Sequence, residues 1–265
     1  MVSVRPAAVA GLFYPGEPEG LRSQVAHLLT AEPIADVDIE PRILIVPHAG
    51  YIYSGAIAAS AYRLLTGRGR SERRFVVIGP SHFVPFSGLA TPGVAALATP
   101  LGHVPAVFEL TSQAEQHPAV IALAEAHSRE HSLEVQLPFL QVAVGEFTAV
   151  LLAVGEVTPA IAAEVLDGLV TSGVIGVVSS DLSHYLGYEA ARERDNRTAA
   201  AIRDLRADAI APGDACGQTA VRAALLLAGR RGWTCRQLDL ANSGDSAGSK
   251  DRVVGYGAFV LGPPS

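Results

Sequence analysis

Three segments of the chain carry polar side chains that suit metal binding, and each segment follows a run of apolar residues. The runs and their polar residues are Ile43–Val46 with His48, Phe75–Ile78 with His82, and Val174–Val178 with Asp181 and His184. Neutral imidazole is the commonest metal ligand among side chains. Two histidines with one anionic ligand and open positions are typical of non-haem Fe(II) sites. The pattern therefore predicts a metal site, provided that the three runs end at one edge of a sheet.

A further polar cluster, residues 130–134, has the sequence Glu-His-Ser-Leu-Glu. If this segment is helical, His131 and Glu134 are three residues apart and lie on one face. One interpretation is an amphipathic helix whose first turn carries acidic residues that suit the helix dipole. The other interpretation makes His131 an acid–base group in the pocket. The residues alone leave both interpretations open.

Cys216 lies where a predicted helix begins. A helix N-terminus stabilises the thiolate and lowers the pKa of a thiol, and the thiolate is the form that attacks substrates or binds metals. A lone cysteine is more often a small, buried and inert residue, which is what we expect of Cys235 in a predicted strand. Because the chain has only two cysteines, no disulfide framework holds the fold together.

Short apolar runs alternate with longer helical patterns along the chain, which predicts a parallel sheet connected through right-handed helical crossovers. The predicted strands are Ile43–Val46, Phe75–Ile78, Thr148–Val154, Val174–Val178, Thr234–Leu240 and Val253–Leu261. The predicted helices are Ala56–Leu65, Ala119–Ala126, His131–Val142, one that begins near Pro159, Tyr188–Leu205 and Cys216–Ala228. Ligands of such sheets bind outside the carboxyl ends of the strands, where the polar residues described above lie.

The composition supports one α/β domain over residues 1–265, with a central, mostly parallel sheet flanked by helices. Of the 265 residues, 49% are hydrophobic and 17% are charged, which excludes a disordered or fibrous protein. The formal net charge of −6 argues against a nucleic-acid partner. No apolar run approaches the roughly 18 residues of a membrane span, and the apolar stretch near the N-terminus is shorter than the roughly 7–15 residues that a signal peptide needs. We therefore expect a cytoplasmic protein with no membrane partner, and a solvated turn at the basic segment 68–74.

Six short motifs resemble those of the Memo family, whose bacterial and archaeal members are labelled AmmeMemoRadiSam system protein B. In chain order they are Gly11-Leu12-Phe13-Tyr14-Pro15, Pro47-His48-Ala49-Gly50-Tyr51, Gly79-Pro80-Ser81-His82, Glu130-His131-Ser132-Leu133-Glu134, Ser179-Ser180-Asp181-Leu182-Ser183-His184 and Cys216-Gly217. Each motif alone is weak, but six in the family's order are specific. The resemblance implies a fold similar to that of the class III extradiol dioxygenases, which are non-haem iron enzymes that open catechol rings.

The same resemblance implies that His48, His82 and Cys216 hold a metal, with His131, Asp181 and His184 as the polar groups around it. Fe(II) is the expected ion, with copper or zinc as alternatives. A cysteine in place of the dioxygenases' carboxylate changes the chemistry, since a thiolate is soft and itself oxidisable. Dioxygenase activity therefore does not follow from a shared fold.

Three functional hypotheses follow. The first is a metal-dependent redox enzyme acting on an unknown small substrate, in which His131 or His184 moves a proton and Asp181 orients a histidine or a metal-bound water. The second is a non-catalytic binding protein that acts with AMMECR-type and radical SAM partners, which the family's label implies. The third is a metal-free hydrolase that uses Cys216 as nucleophile with His131 or His184 as its base. The chain contains no Gly-x-Gly-x-x-Gly or Walker motif, so nucleotide cofactors are not indicated.

Overall fold

The computed structural model describes residues 3–33, 35–67 and 74–265. The strands are β1 (Val4–Arg5), β2 (Ile43–Val46), β3 (Arg74–Pro80), β4 (Leu89–Thr91), β5 (Ala96–Thr99), β6 (Gly102–Pro105), β7 (Val120–Ala122), β8 (Thr148–Val154), β9 (Val174–Ser179), β10 (His184–Leu186), β11 (Thr234–Asn242) and β12 (Val253–Gly262). The α-helices are α1 (Pro18–Thr30), α2 (Tyr51–Tyr62), α3 (Phe108–Glu115), α4 (Ala124–Ser128), α5 (Gln136–Val144), α6 (Pro159–Leu169), α7 (Tyr188–Arg203) and α8 (Gln218–Arg230). The predicted turn at residues 68–74 lies, apart from Arg74, outside the described residues.

The main sheet has a parallel centre and antiparallel flanks. Its central strands run in the order β2-β9-β3-β8, and all three pairings between them are parallel. On one side of this centre, β12 pairs antiparallel with β2, and β10 and β11 both pair antiparallel with β12. On the other side, β4 pairs antiparallel with β8, and β7 pairs parallel with β4. The predicted parallel sheet is thus confirmed at the centre, while the sheet as a whole is mixed. A smaller sheet joins β1, β5 and β6.

Helices cover both faces of the main sheet, which explains why the interiors of its central strands are apolar on both faces. Along β3, Phe75 and Val77 belong to one buried cluster with α1, α2 and α5, whereas Val76 and Ile78 belong to a second cluster with α3, α6 and α8. Successive side chains of a strand point to opposite faces, so a strand buried on both sides needs apolar residues at every position. The structure confirms an α/β architecture.

Two predicted helices differ from the structure. Residues 119–126 form β7 and the short α4 instead of one helix, because Val120–Ala122 pairs with β4 and becomes the edge strand of the sheet. Residues 131–135 form turns, and α5 begins only at Gln136. Pro138 explains the late start: in a helix beginning at residue 131 it would lie in the interior and remove a hydrogen bond, whereas in the first turn of α5 it removes none.

None of the helices in the described ranges is both long enough and apolar enough to cross a bilayer.

Candidate metal centre

Three adjacent parallel strands deliver polar side chains to one edge of the sheet, as the sequence predicts. His48, His82 and Asp181 each lie two residues beyond the last residue of their strand, which is Val46 of β2, Pro80 of β3 and Ser179 of β9 respectively. Since β9 lies between β2 and β3, the three side chains reach a common region at the carboxyl ends of the strands.

Three histidines form the centre of this region. Their ligand nitrogens, one each from His48, His82 and His131, all lie within 4.8 Å of one another. The His82 and His131 rings stack at 4.7 Å between centroids, and the His48 ring stands nearly perpendicular to both, at 5.3 and 5.4 Å. His131 reaches the site from the turn before α5. The structure therefore adds His131 to the candidate metal donors, whereas the sequence suggested an acid–base role for it.

Two imidazoles of this cluster, those of His48 and His131, are held in their neutral form. Burial, followed by repulsion from His82, lowers the pKa of His48 to about 3. Burial also lowers the pKa of His131 to about 4, with His48 as the next cause. A metal ligand must present an unprotonated nitrogen. Near pH 7 these two rings meet that requirement without first losing a proton.

Glu130 orients His82 and shapes the turn that carries His131. Its Oε1 accepts hydrogen bonds from His82 Nδ1 at 3.0 Å and from the backbone N–H groups of His131 and Ser132, and its Oε2 accepts one from the His82 backbone N–H at 2.6 Å. Burial raises the pKa of this carboxyl, but the hydrogen bonds outweigh burial and bring it to about 2. Because an ionised carboxylate only accepts, Nδ1 of His82 must be the donor to Glu130, which leaves Nε2 as the nitrogen that can face a metal.

The sequence did not identify this role of Glu130; the only signal was its position directly before His131. The predicted pairing of His131 with Glu134 on one helical face is wrong, because the segment is not helical. Glu134 points away from the site and accepts hydrogen bonds from the side chain of Arg5, the backbone N–H groups of Ala8 and Val9, and the Tyr14 hydroxyl.

His48 is 2% exposed and has a partner at each polar position. Its Nδ1 lies 2.9 Å from Ser179 Oγ, its Nε2 lies 3.2 Å from Cys216 Sγ, and its backbone N–H donates to Asp181 Oδ1 at 2.7 Å. Asp181 therefore positions His48 through the main chain and not through the ring. Burial raises the pKa of this carboxyl.

Cys216 lies beside the histidine cluster, although the mutually close donor atoms are those of the three histidines. Its Sγ contacts His48 Nε2 and accepts the Asp181 backbone N–H at 3.3 Å. The expectation that a helix N-terminus lowers the pKa of this thiol is wrong: burial, followed by the charge of Asp181, raises it to about 12. The α8 helix begins two residues later, at Gln218, and desolvation outweighs the hydrogen bonds that favour the thiolate.

His184 lies at the margin of the site, in β10, and is not a member of the three-histidine set. Its Nδ1 lies 2.9 Å from the Leu182 carbonyl oxygen, which can only accept, so the proton is on Nδ1 and Nε2 is free. The ring is partly exposed.

A cavity of about 440 Å³ adjoins the centre at Cys216. Its wall consists of the loop after β3, the loop after β8 and the first turn of α8. The polar lining residues are Ser81, Ser87, Glu156, Cys216, Gln218 and Thr219. On the histidine side, Phe13 and Phe83 approach His131, at 4.7 and 6.1 Å between ring centroids. The cavity is therefore lined by Cys216 and by none of the three histidines, while aromatic rings lie on the histidine side.

Comparisons with known proteins find relatives that match nearly the full length of the chain. A family profile described as "Memo-like protein" matches residues 5–260. The chain is 33% identical to a MEMO1 family protein of Thermoplasma volcanium, over 97% of this chain and 98% of that protein. It is 35% identical to a MEMO1 family protein of Sulfolobus acidocaldarius, over 96% and 97%, and 33% identical to one of Saccharolobus solfataricus, over 97% and 99%.

Proposed function

The chain belongs to the Memo family, and on that premise we propose that it binds one transition-metal ion and uses it for redox chemistry on a small substrate. The observation that carries the proposal is the convergence of His48, His82 and His131, whose donor atoms lie within 4.8 Å of one another. They come from three distant parts of the chain, and nothing in the packing of an apolar core requires three imidazoles to meet.

The donor set fits a first-row transition ion. Imidazole suits iron, copper, zinc and nickel, whereas Mg²⁺ and Ca²⁺ prefer oxygen ligands. The rings of His48 and His131 are neutral near pH 7, and the His82 ring is oriented by a buried carboxylate, as ligating histidines commonly are. We assign His48, His82 and His131 as ligands and place Cys216, in contact with His48, as a further donor.

Iron is the ion we propose, with copper or zinc as alternatives, and the extradiol dioxygenase-like character of the fold belongs to the same proposal. A bound iron ion supplies Lewis acidity and one-electron chemistry. The chain's own residues do the rest: Glu130 holds His82, Asp181 holds the main chain of His48, and partly exposed His184 carries protons between the site and solvent. The 440 Å³ cavity beside Cys216 takes the substrate.

The contact between Cys216 and His48 supports metal binding better than a cysteine hydrolase. Nucleophilic cysteines are activated by a lowered thiol pKa or by an adjacent base that becomes charged. Here burial raises the pKa of Cys216 to about 12 and lowers that of His48 to about 3, so the two groups remain a neutral pair. The expected AMMECR-type and radical SAM partners stay a prediction, which co-purification would test.

Metal analysis of anaerobically purified protein tests the proposal. We expect about one iron or copper ion per chain in the wild type, and loss of most of it in His48→Ala and His131→Ala. His103→Ala is the matched control, because His103 is exposed in β6 and should leave the metal content unchanged. Cys216→Ser measures the contribution of the thiol. Wild-type protein that holds no metal after anaerobic reconstitution with Fe(II), or His48→Ala protein with unchanged metal content, would refute the proposal.

A further inference from the structure

A buried polar network lies behind His48, on the side of the ring away from Cys216. Ser179 Oγ is within hydrogen-bonding distance of three groups: the Ser132 carbonyl oxygen at 2.5 Å, Gln136 Nε2 at 2.8 Å and His48 Nδ1 at 2.9 Å. Gln136 Nε2 also donates to the Pro47 carbonyl oxygen at 3.0 Å, and Gln136 Oε1 accepts from the Tyr62 hydroxyl at 2.8 Å. All the side chains of this network are at most 2% exposed.

Two backbone carbonyls allow only one assignment of the protons in this network. The Pro47 carbonyl oxygen only accepts, so the group of Gln136 that faces it is the NH₂ group, which therefore also donates to Ser179. The Ser132 carbonyl oxygen only accepts as well, so it takes the single proton of the Ser179 hydroxyl. Ser179 is then left with an accepting lone pair towards His48, and Nδ1 of His48 must be the protonated nitrogen.

We propose that Ser179, held by Gln136 and the Ser132 carbonyl, is a positioning residue that fixes His48 as the Nδ1–H tautomer and leaves its Nε2 bare for the metal. The other side of the ring is compatible with this assignment, because Nε2 lies 3.2 Å from Cys216 Sγ and an unprotonated Nε2 can accept the S–H, which also reaches the Asp181 carbonyl oxygen at 3.6 Å. Glu130 does the same for His82 with a carboxylate. For His48 the device is an uncharged hydroxyl in a fully buried network.

This inference rests on the proposed function, because a bare Nε2 serves to bind the metal. Its test, however, does not require the protein to bind a metal. In metal-free protein labelled with ¹⁵N-histidine, long-range ¹H–¹⁵N spectra report the tautomer of each ring, and a His48→Asn sample assigns the His48 signals. We expect His48 to have a protonated Nδ1 and an unprotonated Nε2. A His48 ring protonated on Nε2 in the wild-type protein would overturn the inference, whether or not the protein binds metal.

Ser179→Ala tests the cause. It removes the hydroxyl that accepts from Nδ1–H, so the ring should lose its single tautomer, and the dissociation constant for Fe(II), measured anaerobically by competition with a chelator, should rise about 10- to 100-fold. Ser183→Ala is the matched control: Ser183 is equally buried in the same segment, but its hydroxyl bonds to Asp195, so it should change neither readout. An unchanged tautomer or an unchanged Fe(II) affinity in Ser179→Ala would overturn the inference.

The two proposals fail in different ways. If the wild-type protein binds no Fe(II) but His48 shows the expected tautomer and loses it in Ser179→Ala, the proposed function fails and the role of Ser179 stands. If Ser179→Ala does not fold, the wild-type spectrum alone decides.

Discussion

Glu134 is a buried carboxylate that ties the N-terminal segment to the turn carrying Glu130 and His131, and Glu134→Gln tests how strongly it does so. The side chain is fully buried and accepts from four donors: the Arg5 guanidinium and the Ala8 N–H on Oε2, and the Val9 N–H and the Tyr14 hydroxyl on Oε1. Arg5 is 6% exposed and also donates to the carbonyls of residues 127 and 130. The ion pair therefore spans two segments that are distant in the chain.

The amide of a glutamine has nearly the same shape but cannot accept on both ends. If its NH₂ group replaces Oε2, it faces the Arg5 guanidinium and the Ala8 N–H, which are both donors. If it replaces Oε1, the Tyr14 hydroxyl can rotate to accept, but the Val9 N–H loses its partner. In either orientation a buried donor is unpaired, which costs about 1–3 kcal/mol, and Arg5 loses its counter-charge. Removing one partner of a buried ion pair costs about 3–5 kcal/mol, so we expect the free energy of unfolding to fall by that amount.

Equilibrium urea denaturation measures this change directly, and thermal unfolding should show a midpoint lowered by roughly 6–20 °C. Glu125→Gln is the matched control: Glu125 is an exposed glutamate nearby in α4, and its replacement should change stability by less than about 0.5 kcal/mol. If Glu134→Gln is within about 1 kcal/mol of the wild type, the four donors are not held by the carboxylate's charge and our reasoning about this cluster is wrong.

Three further predictions concern other parts of the structure. Glu130→Gln should weaken Fe(II) binding about 10- to 100-fold in a chelator competition, because the NH₂ group that replaces one carboxylate oxygen donates and accepts from none of the donors that Glu130 serves; unchanged affinity would contradict the role of Glu130. Burial lowers the pKa of His127 from 6.5 to about 4, so the stability due to its neutral ring is complete above pH 6.5 and is lost as the pH falls towards 4. Urea denaturation measures the free energy of unfolding at pH 6.5 and at pH 4. On this acidification the wild type should lose up to about 3 kcal/mol more of that free energy than His127→Gln does; equal losses in the two proteins would contradict the prediction. Gly255→Ala places a Cβ 1.9 Å from Asp195 Oδ2 and should destabilise the protein by about 1–3 kcal/mol or more. In Gly229→Ala, in α8, the Cβ meets nothing within 4 Å, so this variant should be stabilised by about 0.5–1 kcal/mol. Calorimetry that ranks the two variants in the opposite order would refute the steric argument.

The local pattern of the chain predicts the strands of the sheet centre well. Ile43–Val46 and Thr148–Val154 agree with the structure to the residue, and Val174–Val178 to within one. A strand covered by helices on both faces is apolar at every position, so its signal is contained in its own residues. The misassigned segment 119–126 lacks such a signal, because β7 is a short edge strand whose formation depends on a partner, β4, from another part of the chain.

The candidate site shows the same division. Residue types and their positions after the strands point to His48, His82 and Asp181, since the carboxyl ends of parallel strands meet at one edge. The partners of these residues do not follow from local pattern: Glu130 is 48 residues from His82 and Cys216 is 168 residues from His48.

The sequence by itself therefore determined the family, the parallel centre of the sheet and the edge at which the candidate site lies, because apolar periodicity and the residues that follow a strand are local properties. Only the tertiary structure decided that β9 lies between β2 and β3, that His131 joins the candidate metal donors, and that the Cys216 thiol is held protonated. These depend on which distant segments exclude water from one another, and the burial and hydrogen bonds that set a side chain's tautomer and charge exist only once those segments have packed.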